Sequence, residues 1–209
     1  MGIEVIKHAD GLHRCSWCGE LPDYMAYHDD EWGLPIADDK RLFEKLTLEG
    51  FQSGLSWLTI LRKRDAFRNA FAGFDFEKVA RFGAKDVERL VADAGIVRHR
   101  GKIESAINNA KRVCELLQKE PSLAAFIWRY EPEAKSRPKR ITPDMAMTLT
   151  HSTESTALSK DLKKRGFSFV GPTTLYAFMQ SMGLVNDHLH GCHAQAKVEA
   201  ARAAFKRPT

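Results

Sequence analysis

Apolar residues recur along this chain at spacings of three and four, and no run of five or more residues alternates as a half-buried strand would. The pattern predicts an all-α fold. In "DDKRLFEKLTLEGF" the aspartates suit a helix N-cap and first turn, and Leu42, Phe43 and Leu46 fall on one face. "AKDVERLVADAG" aligns Val87, Leu90 and Val91 and is expected to stop at Gly95 as a C-cap. "RGKIESAINNAKRVCELLQK" aligns Ile103, Ala106, Ile107, Ala110, Cys114 and Leu117, which reads Cys114 as a core thiol.

A short apolar stretch follows Pro121. Then "EPEAKSRPKRITPD", rich in charge and proline, reads as an exposed connection. Two further helices, in "SKDLKKRGF" and "PTTLYAFMQSMG", are joined by a short turn, and the last helix is expected over Lys197 to Phe205. No repeat or clear boundary divides the chain, so residues 1–209 are expected to form one domain.

Charge changes this picture modestly. The 32 Lys and Arg against 27 Asp and Glu give +5 and a pI near 9.0, which suits a polyanionic partner without requiring one. "MGIEVIKHADGLHR" lacks the apolar centre of a signal peptide, and no run approaches the ~18 apolar residues of a membrane span. A cytoplasmic protein is expected. Thiols stay reduced there, so the four cysteines read as metal ligands or buried thiols before they read as disulfides.

Two constellations carry candidate chemistry. "LVNDHLHGCH" offers His188, His190, Cys192 and His193, with His188 and Cys192 four residues apart and able to face one point. "RCSWCGELPDYMAYHDDEWG" offers Cys15, Cys18 and His28. Two cysteines and two histidines, a pair from each end, suit tetrahedral zinc, and four protein ligands leave no open position for water, so such a site is structural. Whether Cys15 pairs with Cys18 or with His28 is left open by spacing. The second constellation is aromatic: Trp17, Tyr24, Tyr27 and Trp32 crowd the N-terminal segment, and "LEGFQSGLSW" places Glu49 near Trp57. Aromatic faces around a carboxylate suit a planar, positively charged ligand. In "KKRGFSFVGPTT", backbone N–H groups around Gly171 open a helix and suit a phosphate, with Lys163, Lys164 and Arg165 just before.

Together "YHDDEWG", "LEGFQSGLSW", "DAGIVRHRGKIESAINNA", "KKRGFSFVG" and "LVNDHLHGC" closely resemble the 3-methyladenine DNA glycosylase I family, within the helix-hairpin-helix glycosylases. The likeness runs in order from about Arg14 to Cys192 and leaves residues 1–13 as an extension. It implies an α-helical glycosylase fold with a hairpin near 163–173, and excision of N3-methyladenine from alkylated double-stranded DNA, releasing 3-methyladenine. The family's zinc ligands fall on Cys15, His28, His188 and Cys192, leaving Cys18, His190 and His193 as bystanders. Its base pocket falls on Trp17, Tyr24, Tyr27, Glu49 and Trp57, with Glu49 expected to contact the flipped base. Gln52, Gly54 and Leu55 match the part that meets the gap left in the duplex, with Leu55 as an apolar wedge. Arg165, Gly171 and Thr173 fall in the hairpin expected on the DNA backbone.

Where many relatives in the wider superfamily carry a catalytic aspartate, "LVNDH" offers Asn186, with Asp187 one residue later, so the usual carboxylate is read as missing. Methylation at N3 already makes the adenine a cationic, good leaving group, so orientation and charge stabilisation suffice. No nucleophilic lysine is implied, and the expected product is an abasic site without strand cleavage. Glu49 is assigned to base recognition with electrostatic assistance, general-base activation of the water being the alternative. Two rival readings follow from the same residues: a non-enzymatic module that captures alkylated bases, which forms no abasic sites, and a zinc hydrolase, which needs an open ligand position. A monomer suffices for a protein that searches DNA by phosphate contacts, and no membrane partner is expected.

Overall fold

The computed structural model describes residues 2–209; Met1 lies outside them. Short polar caps start many of the helices. Asp38 accepts from Arg41 N at 2.8 Å, Ser56 from Thr59 N at 3.2 Å and Ser122 from Ala125 N at 2.8 Å, each satisfying a donor that the first turn leaves over. In chain order the elements are β1 (Val5–Lys7), β2 (His13–Cys15), α1 (Pro22–Asp30), α2 (Asp39–Gln52), α3 (Trp57–Arg62), α4 (Arg64–Ala70), α5 (Phe76–Val79), α6 (Ala84–Ala92), α7 (Arg100–Leu116), α8 (Leu123–Trp128), α9 (Pro143–Thr148), α10 (Thr153–Lys164), α11 (Pro172–Ser181) and α12 (Ala194–Ala204). None of the helices among the described residues is long and apolar enough to cross a membrane.

Helix α2 is central. It packs against α7, α8 and α11, and its buried Leu42, Phe43, Leu46 and Phe51 join a core that includes Phe67, Phe71 and Phe74. Its last turn is capped from a distance: Lys102 Nζ donates to the carbonyls of Phe51 and Ser53, at 2.9 and 2.5 Å. That fixes the turn at residues 53–56. Helices α10 and α11 pair through the hairpin at 165–171, which α7 clamps. Asn109 exchanges two 2.9 Å bonds with the backbone of Ser168, and Asn108 donates to Gly166 O at 2.8 Å.

The all-α expectation describes the body of the chain but not its start. β1 and β2 form an antiparallel hairpin with Val5 opposite Cys15, closed by His8 N donating to Leu12 O at 2.9 Å. Three-residue strands are too short to show alternation, and residues 2–13 are a built part of the fold. Other boundaries also move. α6 ends at Ala92, with Asp93 N bonded to Leu90 O, so Gly95 is not its cap. Val113 and Leu116 take the core positions expected of Cys114 and Leu117, which are half-buried. The last helix starts at Ala194, three residues before Lys197. The charged connection is more than a linker, because Ile141 is buried and Arg137 pairs with buried Asp187 and Tyr176.

Gly183, with φ +77°, lets α11 turn against the loop before α2. A Cβ there would stand 2.5 Å from Pro35 N and 2.6 Å from Leu34 C. Gly183→Ala is therefore expected to cost roughly 3 kcal/mol of stability, from overpacking against backbone plus a left-handed conformation. Urea unfolding of the variant against the parent measures it.

Candidate active site

The hairpin end of the chain and α1 bring both sequence constellations to one place. Trp17, Tyr24, Tyr27, Glu49, Gln52 and Trp57 surround a cavity of about 290 Å³, joined by Trp32, Gln180, Asp187 and Leu189 and by apolar Ile3, Ala146 and Leu149. The aromatic wall is continuous. Trp17 meets Tyr24 at 5.2 Å and Trp32 at 5.1 Å between ring centroids, and Tyr27 meets Trp57 at 5.4 Å. Burial pushes the Tyr24 phenol up to about 12 and the Tyr27 phenol well above its usual value, so both stay neutral hydrogen-bonding groups.

Glu49 is 4% exposed at the base of this wall, and its Oε1 lies 2.9 Å from Lys45 Nζ, one helical turn earlier. Lys45 also donates to Tyr27 Oη at 2.8 Å and sits 3.1 Å from the centroid of Trp57. It therefore ties the carboxylate, a phenol and an indole into one unit from the core side. Sequence reasoning passed over Lys45, although its i, i+4 spacing to Glu49 was visible.

Burial lowers the Lys45 ammonium to about 8, against the opposing attraction of Glu49. Between pH 8 and the ordinary lysine value of 10.5 the unfolded chain binds this proton more tightly than the folded one, so stability rises with pH across that window. A charged Lys45 costs stability below it. Lys45→Met is expected to lack this rise, a difference of a few kcal/mol at most, read by comparing urea unfolding of the two proteins from pH 7.5 to 10.

Asn186 holds the position at which the usual carboxylate was read as missing, and the carboxylate beside it is already engaged. Asp187, 5% exposed, does reach the cavity wall, but both oxygens are occupied: Arg137 and Tyr176 Oη (2.8 Å) donate to it, as does Gln180 Nε2 (2.9 Å). Asn186 has another task. Its Oδ1 lies 2.8 Å from His188 Nδ1, and its Nδ2 donates to Gln195 O and to Glu199.

Beside the cavity lies a buried Cys/His cluster. Ligand atoms of Cys15, His28 and Cys192 fall within 4.8 Å of one another, with Cys192 Sγ 3.5 Å from His28 Nε2. His188 packs edge-on to His28 at 5.0 Å, and its Nε2 is buried without a partner among the described residues. Both imidazoles are oriented through Nδ1, His188 by Asn186 and His28 by Asp29 at 2.7 Å, which leaves Nε2 of each as the lone-pair nitrogen. Burial lowers His188 to about 4 and keeps it neutral. Of the two facing thiols, Cys15 holds its proton and Cys192 is pushed below the usual range, by its hydrogen bonds to Cys15 and then to His28.

Of the expected bystanders, Cys18 donates to Cys15 O at 3.2 Å and burial pushes its thiol up to about 11, and His190 is exposed. His193 does more than expected. Its Nε2 is 2.9 Å from Asp29 Oδ1, and Arg14, 4% exposed, grips the same carboxylate. The residues that orient His28 thus come from β2 and the start of α12.

The remaining candidates lie outside the cavity. Gly54 (φ +80°) and Leu55 form the exposed turn after α2, with Leu55 40% exposed. Gly171 caps α11 and Thr173 is exposed in its first turn. Arg165 turns inward: its guanidinium bonds Asp161 at 3.0 Å and lies 4.9 Å from the Phe126 centroid. An exposed Phe169 in the hairpin, not foreseen from the sequence, lies beside Gly50 of α2.

Comparison with known proteins places this geometry. A family model described as methyladenine glycosylase matches residues 17–195. The chain is 49% identical over 181 residues to DNA-3-methyladenine glycosylase 1 of Escherichia coli (strain K12), covering 87% of this chain and 96% of that protein. It is 47% identical to DNA-3-methyladenine glycosylase of Haemophilus influenzae (strain ATCC 51907 / DSM 11121 / KW20 / Rd), covering 86% and 96%. Among solved structures, it resembles a 3-methyladenine DNA glycosylase I from Staphylococcus aureus, described for its recognition of 3-methyladenine, with TM-score 0.80 and 38% identity over 87% of this chain and 96% of that one.

Proposed function

The chain belongs to the methyladenine glycosylase family, and from that premise we propose that it hydrolyses the N-glycosidic bond of N3-methyladenine in alkylated double-stranded DNA. Residues 2–209 work as one glycosylase unit. The observation that carries the reading is a buried carboxylate, Glu49, at the base of an aromatic cavity sized for one purine.

An N3-methylated adenine in DNA is cationic, weakly held in the duplex and ready to leave. Once extruded, it stacks against the aromatic wall of Trp17, Tyr24, Tyr27 and Trp57. Lys45 engages Oε1 of Glu49, which leaves Oε2 to accept from the N–H edge of the base. Water then adds to C1′ of the sugar as the C1′–N9 bond breaks, its electron pair goes to the base, and the attacking water loses a proton to solvent. The products are free 3-methyladenine and an abasic site. Asp187 stays a structural acceptor because its oxygens are occupied, so Glu49 supplies the negative charge facing the base, in recognition and not as the water's general base.

On the DNA side, Gln52, Gly54 and Leu55 sit at the turn next to the cavity, where exposed Leu55 fills the gap in the stack. The N-terminus of α11, with Gly171 and Thr173, receives a backbone phosphate, assisted by exposed Lys163 and Lys164. Arg165 contributes to the hairpin's shape and reaches DNA only by leaving Asp161.

Cys15, His28 and Cys192, whose ligand atoms lie together, and neighbouring His188 fit zinc by their donors: two sulfurs and two buried Nε2 atoms with Nδ1 tied back, that of His188 without a partner among the described residues. These four residues would hold a zinc ion as a structural cross-link between the two ends of the matched region, with no position left for a hydrolytic water. The enzyme acts as a monomer in the cytoplasm.

Release of 3-methyladenine from methylated duplex DNA by the purified protein tests this reading, with abasic sites counted in the same reaction. Both are expected in equal amounts and without strand breaks. Capture of the base with no abasic sites would instead make the protein a binding module.

A further inference from the structure

Among the residues lining the cavity are three aliphatic ones, Ile3, Ala146 and Leu149, from segments that carry none of its aromatic or acidic residues. Ile3 lies before residue 17, where the family match begins, and the other two lie in and just after α9, which follows the charged connection. We infer that Ile3, in the extended segment just before β1, forms with Ala146 and Leu149 an apolar wall of the base pocket and that Ile3 is a specificity-determining residue for the base. This inference rests on the pocket assigned above.

The construction is specific. β1 pairs with β2 in the register Val5 opposite Cys15, and the pairing runs one step beyond the strand, with Ser16 N donating to Glu4 O at 2.7 Å and Glu4 N to Ser16 Oγ at 3.0 Å. That zipper ends beside Trp17, the aromatic residue that opens the pocket wall. Residues two apart along an extended chain share a face, so Ile3 and Val5 turn the same way. Both are half-buried and pack with Trp17, Ala146 and Leu149 on a small apolar cluster formed by Cys15, Ile141, Leu189 and Cys192. The far side of the wall is pinned as well, since His190 N donates to Ile141 O at 2.9 Å.

Of the two, only Ile3 lines the cavity. The aromatic faces and Glu49 address the ring and its polar edge, and aliphatic side chains in the same lining add contact to any apolar substituent and displace water from the cavity. An enzyme without this wall would hold the same base less tightly and discriminate less between methylated and unmethylated adenine.

Binding of free 3-methyladenine, and of adenine, to the zinc-loaded full-length protein by tryptophan fluorescence or calorimetry tests the wall. The variants are Ile3→Ala, Ile3→Trp and Val5→Ala, with thermal unfolding and zinc content measured on each. Val5→Ala controls for loss of packing, because Val5 shares the cluster but not the cavity. Ile3→Ala is expected to weaken 3-methyladenine binding by about five-fold and narrow its preference over adenine, Ile3→Trp to block both, and Val5→Ala to leave both affinities near the parent. Parent-like affinity and preference in the Ile3 variants would overturn the wall, as would losses that merely follow the fall in thermal stability in all three. A parent protein that binds no 3-methyladenine at all would instead sink the pocket assignment on which the wall rests.

Discussion

His188→Ala is expected to lower the stability of the zinc-loaded protein by several kcal/mol, and stripping the metal with a strong chelator to have a similar effect. The free energy of holding a structural zinc ion is available to folding, and it is large because the unfolded chain has no preformed site. The proposed ligands lie on β2, α1 and the loop before α12, so an ion held there would close a loop of nearly the whole chain. The variant would lose a proposed ligand and also open a space at the Trp32 ring, 4.6 Å away between centroids. Metal content per chain and thermal unfolding with and without chelator measure the effect. A parent protein that carries no zinc, and that unfolds at the same temperature after chelation, would remove the clip from this account. Cys18→Ser is the matched control: it should keep the metal, because Cys18 bonds a backbone carbonyl and lies outside the cluster.

Glu49→Gln is expected to reduce the rate of 3-methyladenine release by about 100-fold or more, the scale seen when a preorganised electrostatic partner is removed from a closed site. The amide keeps the shape but removes the charge facing a cationic base. It also leaves Lys45 buried without a counter-ion, which is expensive in its own right, so stability has to be followed in parallel. Lys45→Met combined with Glu49→Gln removes both charges. The double variant should recover stability relative to Glu49→Gln while remaining inactive. Recovery of activity along with stability would mean that the single variant had simply failed to hold its pocket together. A Glu49→Gln protein that binds free base as well as the parent but no longer excises it would move Glu49 from base recognition to water activation.

How much could be read in advance differs between the two constellations. A Cys/His cluster was legible because its donors are chemically unusual and fall in two short segments, yet spacing left Cys15 free to pair with Cys18 or His28, and family likeness made the choice. The structure supplies a reason for it: Cys18 points its thiol at the Cys15 carbonyl. What surrounds the ligands was not legible. His193 read as a bystander because its partner Asp29 is brought within 3 Å from a distant helix, and Asn186 read only as a missing carboxylate although its bond to His188 is local, two residues away.

The pocket shows the same division. Its aromatic and acidic residues lie in two dense segments, and residue type alone marks them as suited to a flat cation. Lys45 escaped notice because it occupies a helix position that reads as exposed, and it is buried only because α2 is packed on several sides. Ile3, Ala146 and Leu149 escaped notice because they are distant in sequence and ordinary in type, and the partners of Asp187 could not be read from its place beside Asn186.

Helical periodicity, the caps at Asp38 and Ser56, the donor set for a metal and the identity of the aromatic wall are local properties of composition and spacing, and the chain carries them without reference to its fold. The short hairpin at the start, the charge partner of Glu49, the occupied state of Asp187 and the outer wall of the pocket come into being when distant segments meet. Each depends on burial or on a contact between elements, and burial is a property of the packed chain, not of the residue.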